Sequence, residues 1–406
     1  MLPLLFLSLT SAPAYAGAVF GTANGPITLD LSGNWPRAYP DDTGGWVMFH
    51  AGGGDFKVSH AYSDLTTDRS RDKNLTGRTD LKDHDIRPCP DGTWLQASTA
   101  DYTSEQAHDS AYSWRYDKDF NILANGIIAQ GDLSGPSYVD MPVVCGNNFQ
   151  GAAFPDAVTE TQARFAKVER DASVLEEYDL VGSPWATGSS MLEDRDGTLY
   201  VVGFSSVHDL SQIVIGHFDT DYNSLGTKFV TVGTDILTPY WAQTVIRVGD
   251  YYIVSHMMRD ESLNWNQQDG DLYLTAFDIH WDVADQIKLS DNTAPVGGMQ
   301  PYVVSKGDGS LLAMYSKELH NYAFTIELQP GIEDGGDADT DADSDTDTDV
   351  DTSVPDTADS GDVTDSVPDS GVVREKTGCG CASAPSSTGV AGLMLGLAAL
   401  MMTRRK

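Results

Sequence analysis

The sequence has little positive charge. Among its 406 residues there are 25 Lys and Arg against 60 Asp and Glu, which gives a formal net charge of −35. A chain with this charge is repelled by phosphate backbones, so nucleic acid is excluded as a partner.

Signatures of catalysis are also missing. The sequence has no G-x-S-x-G elbow, no H-E-x-x-H pair and no two histidines at metal-ligand spacing. We therefore expect no cofactor and no metal site, and we assign no catalytic residue.

Cysteine is scarce as well, with four in the whole chain. Cys89 and Cys145 occupy matching places in two successive repeat units, and an isolated pair in an exported protein usually forms a disulfide. The bond requires α carbons within about 7 Å of each other. Whether neighbouring repeats approach that closely is left open by the sequence.

Both ends of the chain carry export features. An apolar run at residues 2–9 precedes small residues ending in Ala-Tyr-Ala, which predicts a signal peptide over 1–16. Near the other end, residues 333–370 contain fifteen acids and no Lys, Arg or aromatic residue. Like charges on alternate residues repel and nothing there can form a core, so we predict a disordered acidic linker over 331–376.

The last thirty residues, 377–406, combine three parts in a specific order. Gly-Cys-Gly-Cys is followed by an uncharged segment at 382–403, about the length of a membrane span, and then by Arg404, Arg405 and Lys406. This ending resembles the MYXO-CTERM sorting signal of myxobacteria. The resemblance implies a membrane-anchored form, cleavage by a dedicated sorting protease, and display at the outer surface. Cys379 is then the processed or attached residue and Cys381 the second choice; a plain C-terminal membrane helix is the alternative.

The body of the chain repeats itself. An octet recurs about every fifty residues: an apolar residue, an acid, two mostly polar positions, a mostly aromatic residue, two further positions and a small or aliphatic end. Its four copies are YDKDFNIL (116–123), VERDASVL (168–175), FDTDYNSL (218–225) and FDIHWDVA (277–284). We interpret each as a hairpin between the third and fourth strands of a unit, with the acid bonding turn amides and the aromatic ring packing between units.

A second recurring feature is a turn followed by a short apolar run. Its six copies are at 44–51, 91–98, 147–154, 196–203, 249–256 and 308–315, and three of them open with Asp-Gly, a strong hairpin signal. Six four-stranded units at this spacing predict an all-β fold, a β-propeller over residues 17–330. Six blades fit best, with five or seven blades or one long twisted sandwich as alternatives. The last unit has three strands, so we expect residues 18–31 to supply its fourth.

We expect ligands to bind at a mouth of the channel, where the segments leading into the inner strands converge. Those segments carry aromatic residues beside acids and arginines, as sugar or peptide recognition requires. The candidates for ligand binding are His84, Asp85, Arg87, Asp140, Trp185, Trp241, His256 and Arg259.

Two functions remain open. The first is an exported, surface-displayed propeller that binds an extracellular glycan or protein. The second is a propeller glycoside hydrolase or lyase, which needs two carboxylates at the mouth. Asp85 with Asp140 or with Glu318 is the pair that we would propose for it.

Overall fold

The computed structural model describes residues 19–332 apart from eleven short segments: 53–54, 77–80, 101–109, 131–140, 156–162, 185–188, 205–211, 234–236, 261–269, 292–299 and 318–319. The predicted signal peptide and the segment 333–406, with Cys379 and Cys381, lie outside the described residues. All of the described residues belong to the compact unit Met1–Asp341. Among them there is no helix with the length and hydropathy that a membrane span requires.

Strands make up most of the described chain, and all strand pairs are antiparallel. The first is β1 (Phe20–Ser32). Blade one follows with β2 (Asn34–Pro40), β3 (Trp46–Gly52), β4 (Asp55–Ala61) and β5 (Thr67–Asn74). Blade two has β6 (Leu81–Pro88), β7 (Trp94–Ala100), β8 (Ser110–Tyr116) and β9 (Ile122–Gln130). Blade three has β10 (Val143–Cys145), β11 (Gln150–Pro155), β12 (Ala163–Val168) and β13 (Val174–Leu180).

The second half of the ring repeats the same order. Blade four has β14 (Ser190–Glu193), β15 (Leu199–Phe204), β16 (Gln212–Phe218) and β17 (Ser224–Thr231). Blade five has β18 (Leu237–Val248), β19 (Tyr251–Asp260), β20 (Gly270–Phe277) and β21 (Val283–Lys288). Blade six has β22 (Tyr302–Ser305), β23 (Ser310–Lys317) and β24 (His320–Leu328), and its outer strand is β1.

The six blades form a closed propeller. Each blade's first strand contacts the first strand of the next blade, and β22 of blade six contacts β2 of blade one. The ring closes because β1 pairs with β24. The predictions of a propeller, of six blades and of an outer strand supplied by the N-terminal segment are confirmed.

The inner hairpins, between the first and second strands of a blade, form as the Asp-Gly pairs predict. Gly92 and Gly197 have φ of +76° and +79°, a conformation that costs glycine little. In the same two turns, Asp91 and Asp196 each accept hydrogen bonds from the backbone N–H and the hydroxyl of the threonine two residues later. The aspartate side chain therefore fixes each turn locally.

The octets form the outer hairpins, as predicted. In the second blade, Asp117 Oδ1 accepts hydrogen bonds from the backbone N–H groups of Asp119 and Asn121, at 2.9 and 2.8 Å. Asp219 and Asp278 act in the same way in their turns. The copy at 168–175 differs, because there Asp171, two residues after Glu169, accepts the bonds from Ser173.

A left-handed residue marks each outer hairpin. The non-glycine residues with positive φ in the described chain are Leu65, Phe120, Ala172, Tyr222 and Trp281, one per hairpin, with φ of 59–68°. Leu65 belongs to a fifth copy, which the octet comparison misses because Tyr62 stands where the acid is expected. Its backbone hydrogen bonds, from Leu65 N to Tyr62 O and from Tyr62 N to Thr66 O, repeat those of the other turns.

These left-handed residues wedge neighbouring blades together. Trp281 of blade five stacks on Tyr252 with ring centroids 4.2 Å apart, and its ring lies 5.1 Å from that of Tyr200 in blade four. Tyr222 of blade four packs in the same way on Phe165 of blade three. The predicted packing of the octet aromatics between blades is confirmed.

At Trp281 we expect the glycine variant to be more stable than the alanine variant, the reverse of the order at an ordinary strand position. Trp281→Ala and Trp281→Gly both lose a ring that is 4 % exposed, which lowers the free energy of unfolding by about 3–5 kcal/mol. The glycine variant should nevertheless be the more stable by about 1 kcal/mol, because φ of 60° strains alanine. At Phe277, a buried strand position, alanine should be the more stable. Urea unfolding of the four variants measures this, and the same order at both sites would contradict it.

Candidate functional site

A cavity of about 730 Å³ opens at one end of the channel. It lies at the mouth where the inner strands end, which we call the strand-end mouth. All six blades contribute to its wall through the last residues of the inner strands and the turns that follow them. Its charged lining residues are Asp41, Asp42, Arg87, Glu193, Asp194, Arg195, Arg247 and Lys306.

The sequence directs attention to the opposite mouth, where the inner strands begin. Several segments that lead into those strands, 131–140, 185–188, 234–236 and 292–299, lie outside the described residues. Asp140 and Trp185 belong to these segments. The strand-end mouth is therefore the candidate site that the described residues define.

Asp85 is the centre of a buried polar cluster below the cavity. The residue is 4 % exposed, and its Oδ1 accepts a hydrogen bond from Arg37 Nε of blade one at 3.0 Å. Its Oδ2 accepts from the backbone N–H of Val143 in blade three at 2.9 Å and lies 3.4 Å from Arg87 Nε. Asp85 therefore links three blades with one carboxylate.

Arg87 extends from blade two across the channel. Its Nη2 lies 3.4 Å from the hydroxyl of Ser190 in blade four, which in turn accepts a hydrogen bond from Val245 N in blade five. The side chain is 13 % exposed and lines the cavity. Burial lowers the pKa of Arg87, but the charge of Asp85, the neighbouring phenols of Tyr39 and Tyr302 and the hydrogen bond to Asp85 together raise it by more, so the group stays protonated.

Two tyrosines complete this part of the channel. Tyr39 donates a hydrogen bond to the carbonyl of Ile86 at 2.5 Å, and Tyr302 donates to that of Ala38 at 2.9 Å. Burial raises the pKa of both phenols, so they are neutral donors. They tie blade one to its two neighbours.

Two acids on the rim, Glu193 and Asp194, are engaged by neighbouring blades. Glu193 of blade four accepts hydrogen bonds from the backbone N–H groups of Asn148 and Phe149 at 2.9–3.1 Å, which caps the inner turn of blade three. Asp194 pairs with Arg247 and accepts a hydrogen bond from Tyr252 at 2.6 Å. These carboxylates hold blades together.

The candidate disulfide is present, and its Cys145 lines the cavity. Cys89 and Cys145 join blades two and three with α carbons 4.9 Å apart, because the inner strands converge near the axis. Arg115, which is 1 % exposed, places Nη1 at 2.7 and 3.2 Å from the two sulfur atoms. The separation of 4.9 Å between the α carbons shows that these neighbouring repeats approach closely enough for a disulfide, which the sequence leaves open.

Two predicted histidines lie in the core. His84 stacks on Phe56 with ring centroids 4.5 Å apart and bonds Ser98 through Nδ1 at 2.6 Å. His256 bonds Thr275 through Nε2 at 2.8 Å. Burial lowers their pKa values to about 3 and about 4, so both are neutral at neutral pH. Neither lines the cavity.

The remaining candidates are dispersed. Arg259 pairs with Thr238 near the end of β19, and Trp241 falls in the irregular part of β18 between Tyr240 and Thr244. Arg259 is not part of the cavity wall. Of the eight predicted ligand-binding residues, the structure brings Asp85 and Arg87 together at the cavity. The sequence analysis missed Glu193, Asp194 and Arg247, which follow no motif and lie at strand ends.

Comparison with known proteins identifies similar structures but no relative in sequence. No protein-family model and no curated protein matches the chain. An N10 neuraminidase-like protein of a little yellow-shouldered bat influenza A virus is 14 % identical, with a TM-score of 0.45, over 76 % of this chain and 99 % of its own. A DUF4221-family protein from Bacteroides vulgatus is 10 % identical, with a TM-score of 0.47, over 77 % and 99 %. An endo-arabinase from Bacteroides thetaiotaomicron is 11 % identical, with a TM-score of 0.39, over 75 % and 96 %.

Similarity at this level carries no assignment of activity to this chain. All three identities are below 15 % and all three TM-scores are below 0.5. The function has to be argued from the cavity itself.

Proposed function

We propose that this protein is an exported, surface-displayed β-propeller that binds an extracellular glycan in the cavity at the strand-end mouth. The observation that carries the proposal is the cavity. Its volume of about 730 Å³ falls within the range of about 300–1,000 Å³ typical of ligand sites, and all six blades form its wall. A site built from rigid strands in this way is already formed before the ligand binds.

Export and display rest on the two ends of the chain. The apolar leader directs the protein across a membrane, and the acidic linker holds the body away from the envelope. The tail resembling MYXO-CTERM supplies the membrane anchor and the substrate of the sorting protease, with Cys379 as the processed residue. A glycan at the cell surface is a partner that such a protein would meet.

The geometry favours binding over glycoside hydrolysis. Hydrolysis uses one carboxylate as acid and a second as base or nucleophile, about 5–9.5 Å apart. Three of the four acids that line the cavity are engaged: Glu193 with backbone amides, Asp194 with Arg247 and Tyr252, and Asp41 with Thr43 and Gly45 of its own turn. The fourth is Asp42, whereas hydrolysis needs a pair. Asp85 is held by Arg37, and its proposed partners Asp140 and Glu318 lie outside the described residues.

A cavity-filling variant tests the proposal. Ser305 lines the cavity, and a tryptophan there should reduce glycan binding at least tenfold by occupying the space. Ser224→Trp, on the exposed outer strand β17, should bind as the wild type does. The measurement is binding of the full chain to a glycan array, with product analysis by mass spectrometry. Equal binding by both variants would place the ligand elsewhere, and shortened glycans would identify a hydrolase.

A further inference from the structure

The buried charges below the cavity do not balance. The guanidinium groups of Arg37 and Arg87 share the one carboxylate of Asp85, so the three side chains together carry a net charge of +1. Arg37 takes the shorter contact, Nε to Oδ1 at 3.0 Å, whereas Arg87 Nε lies 3.4 Å from Oδ2. Oδ2 also accepts the Val143 N–H at 2.9 Å. Arg87 is therefore only partly neutralised.

This arrangement leaves the guanidinium group of Arg87 able to accept a further negative partner. A charge removed from water needs a counter-charge in good geometry, and Arg87 has only a share of one. Its other side-chain hydrogen bond within the described part of the chain goes to a neutral hydroxyl, that of Ser190, at 3.4 Å. An anion arriving from the cavity would supply the missing charge and would do so where little water competes.

Two other cations of the cavity wall already have acids of their own. Arg247 pairs with Asp194, and Lys306 pairs with Asp308 at 3.1 Å. Arg87 differs from both, since it lies deeper and its acid also serves Arg37. The partly exposed face of its guanidinium group is therefore a favourable point in the cavity for a negative group.

We propose that the glycan bound here is acidic, and that a sugar carboxylate pairs with the guanidinium group of Arg87. This inference rests on the proposed function and names the ligand class for the same cavity. Arginine favours a carboxylate because its planar fork can donate two parallel hydrogen bonds to the two oxygens. Arg37 positions Asp85, and Asp85 in turn orients Arg87.

Calorimetric titration of the full chain with tri-galacturonate and with its methyl ester tests the inference. The ester keeps the shape of the sugar and removes its charge. We expect the wild type to bind the acid at least tenfold more tightly than the ester. Arg87→Gln should weaken binding of the acid at least thirtyfold and leave the ester nearly unchanged. Arg164→Gln, which removes an arginine paired with Glu177 on the outer part of blade three, should change neither.

The possible results distinguish a failure of the acidic-ligand inference from a failure of the proposed function. Equal binding of acid and ester, unaffected by Arg87→Gln, would overturn the acidic ligand while the Ser305→Trp result still reports on the cavity. Absence of binding by both, with a neutral or sulfated glycan bound on the array, would also overturn the carboxylate assignment. If Arg87→Gln does not fold by circular dichroism, the acid-to-ester ratio of the wild type and its decrease with salt decide the question alone.

Discussion

Asp85→Ala should lower the free energy of unfolding by about 3–5 kcal/mol, as expected when one partner of a buried ion pair is removed. The alanine leaves the guanidinium group of Arg37, whose side chain is 4 % exposed, without a counter-charge, and it leaves the Val143 N–H without its acceptor. Asp85→Asn should lose less, because the amide oxygen can still accept a hydrogen bond. Urea unfolding followed by circular dichroism measures both.

A surface acid provides the control for Asp85. Asp179 pairs with Arg164 at the outer strand of blade three with its side chain 60 % exposed, so Asp179→Ala should leave stability nearly unchanged. A loss below about 1 kcal/mol for Asp85→Ala would mean that Arg37 and Arg87 do not depend on this carboxylate. The sequence suggests Asp85 as a ligand contact, whereas the structure gives it the task of holding three blades and positioning Arg87.

Replacing Cys89 and Cys145 together by serine should cost about 4 kcal/mol of unfolding free energy. The disulfide closes a loop with a sequence separation of 56, and the chain-entropy relation gives about this value for such a loop. Blades two and three should separate first, because the bond joins their inner strands at the cavity wall. Urea unfolding of the double variant in the absence of reductant is the measurement.

The tail cysteines supply the matched control for that experiment. Serine at Cys379 and Cys381 should leave the unfolding of the propeller unchanged, because these residues belong to the predicted sorting segment. Equal stability of the Cys89/Cys145 variant and the wild type would show that packing between the two blades, and not the disulfide, holds them together.

Much of the fold follows from local sequence. Asp-Gly at 91–92 and 196–197 and the octets encode their turns within a few residues, because the aspartate side chain bonds the amides of its own turn. Repetition of these turns gives the blade, and the unpaired last unit predicts that β1 completes it. The fifth outer hairpin at Leu65 was missed because its backbone is the same but Tyr62 replaces the acid.

The site was less accessible to prediction, because its contacts join residues far apart in the chain. Asp85 and Arg87 lie two residues apart in β6 and therefore share one side of the strand, which the sequence pattern indicates. The position of His84 in the core depends on Phe56 of blade one, because the Phe56 ring stacks on the imidazole. Ser190 and Asp194 gain their roles from Arg87 and Arg247, more than fifty residues away in each case.

A crystal structure of the full chain with tri-galacturonate should show the sugar in the cavity at the strand-end mouth, with one carboxylate about 3 Å from the guanidinium nitrogens of Arg87. A ligand bound at the opposite mouth or on the outer strands, with the cavity empty and Arg87 still against Asp85 and Ser190, would contradict it.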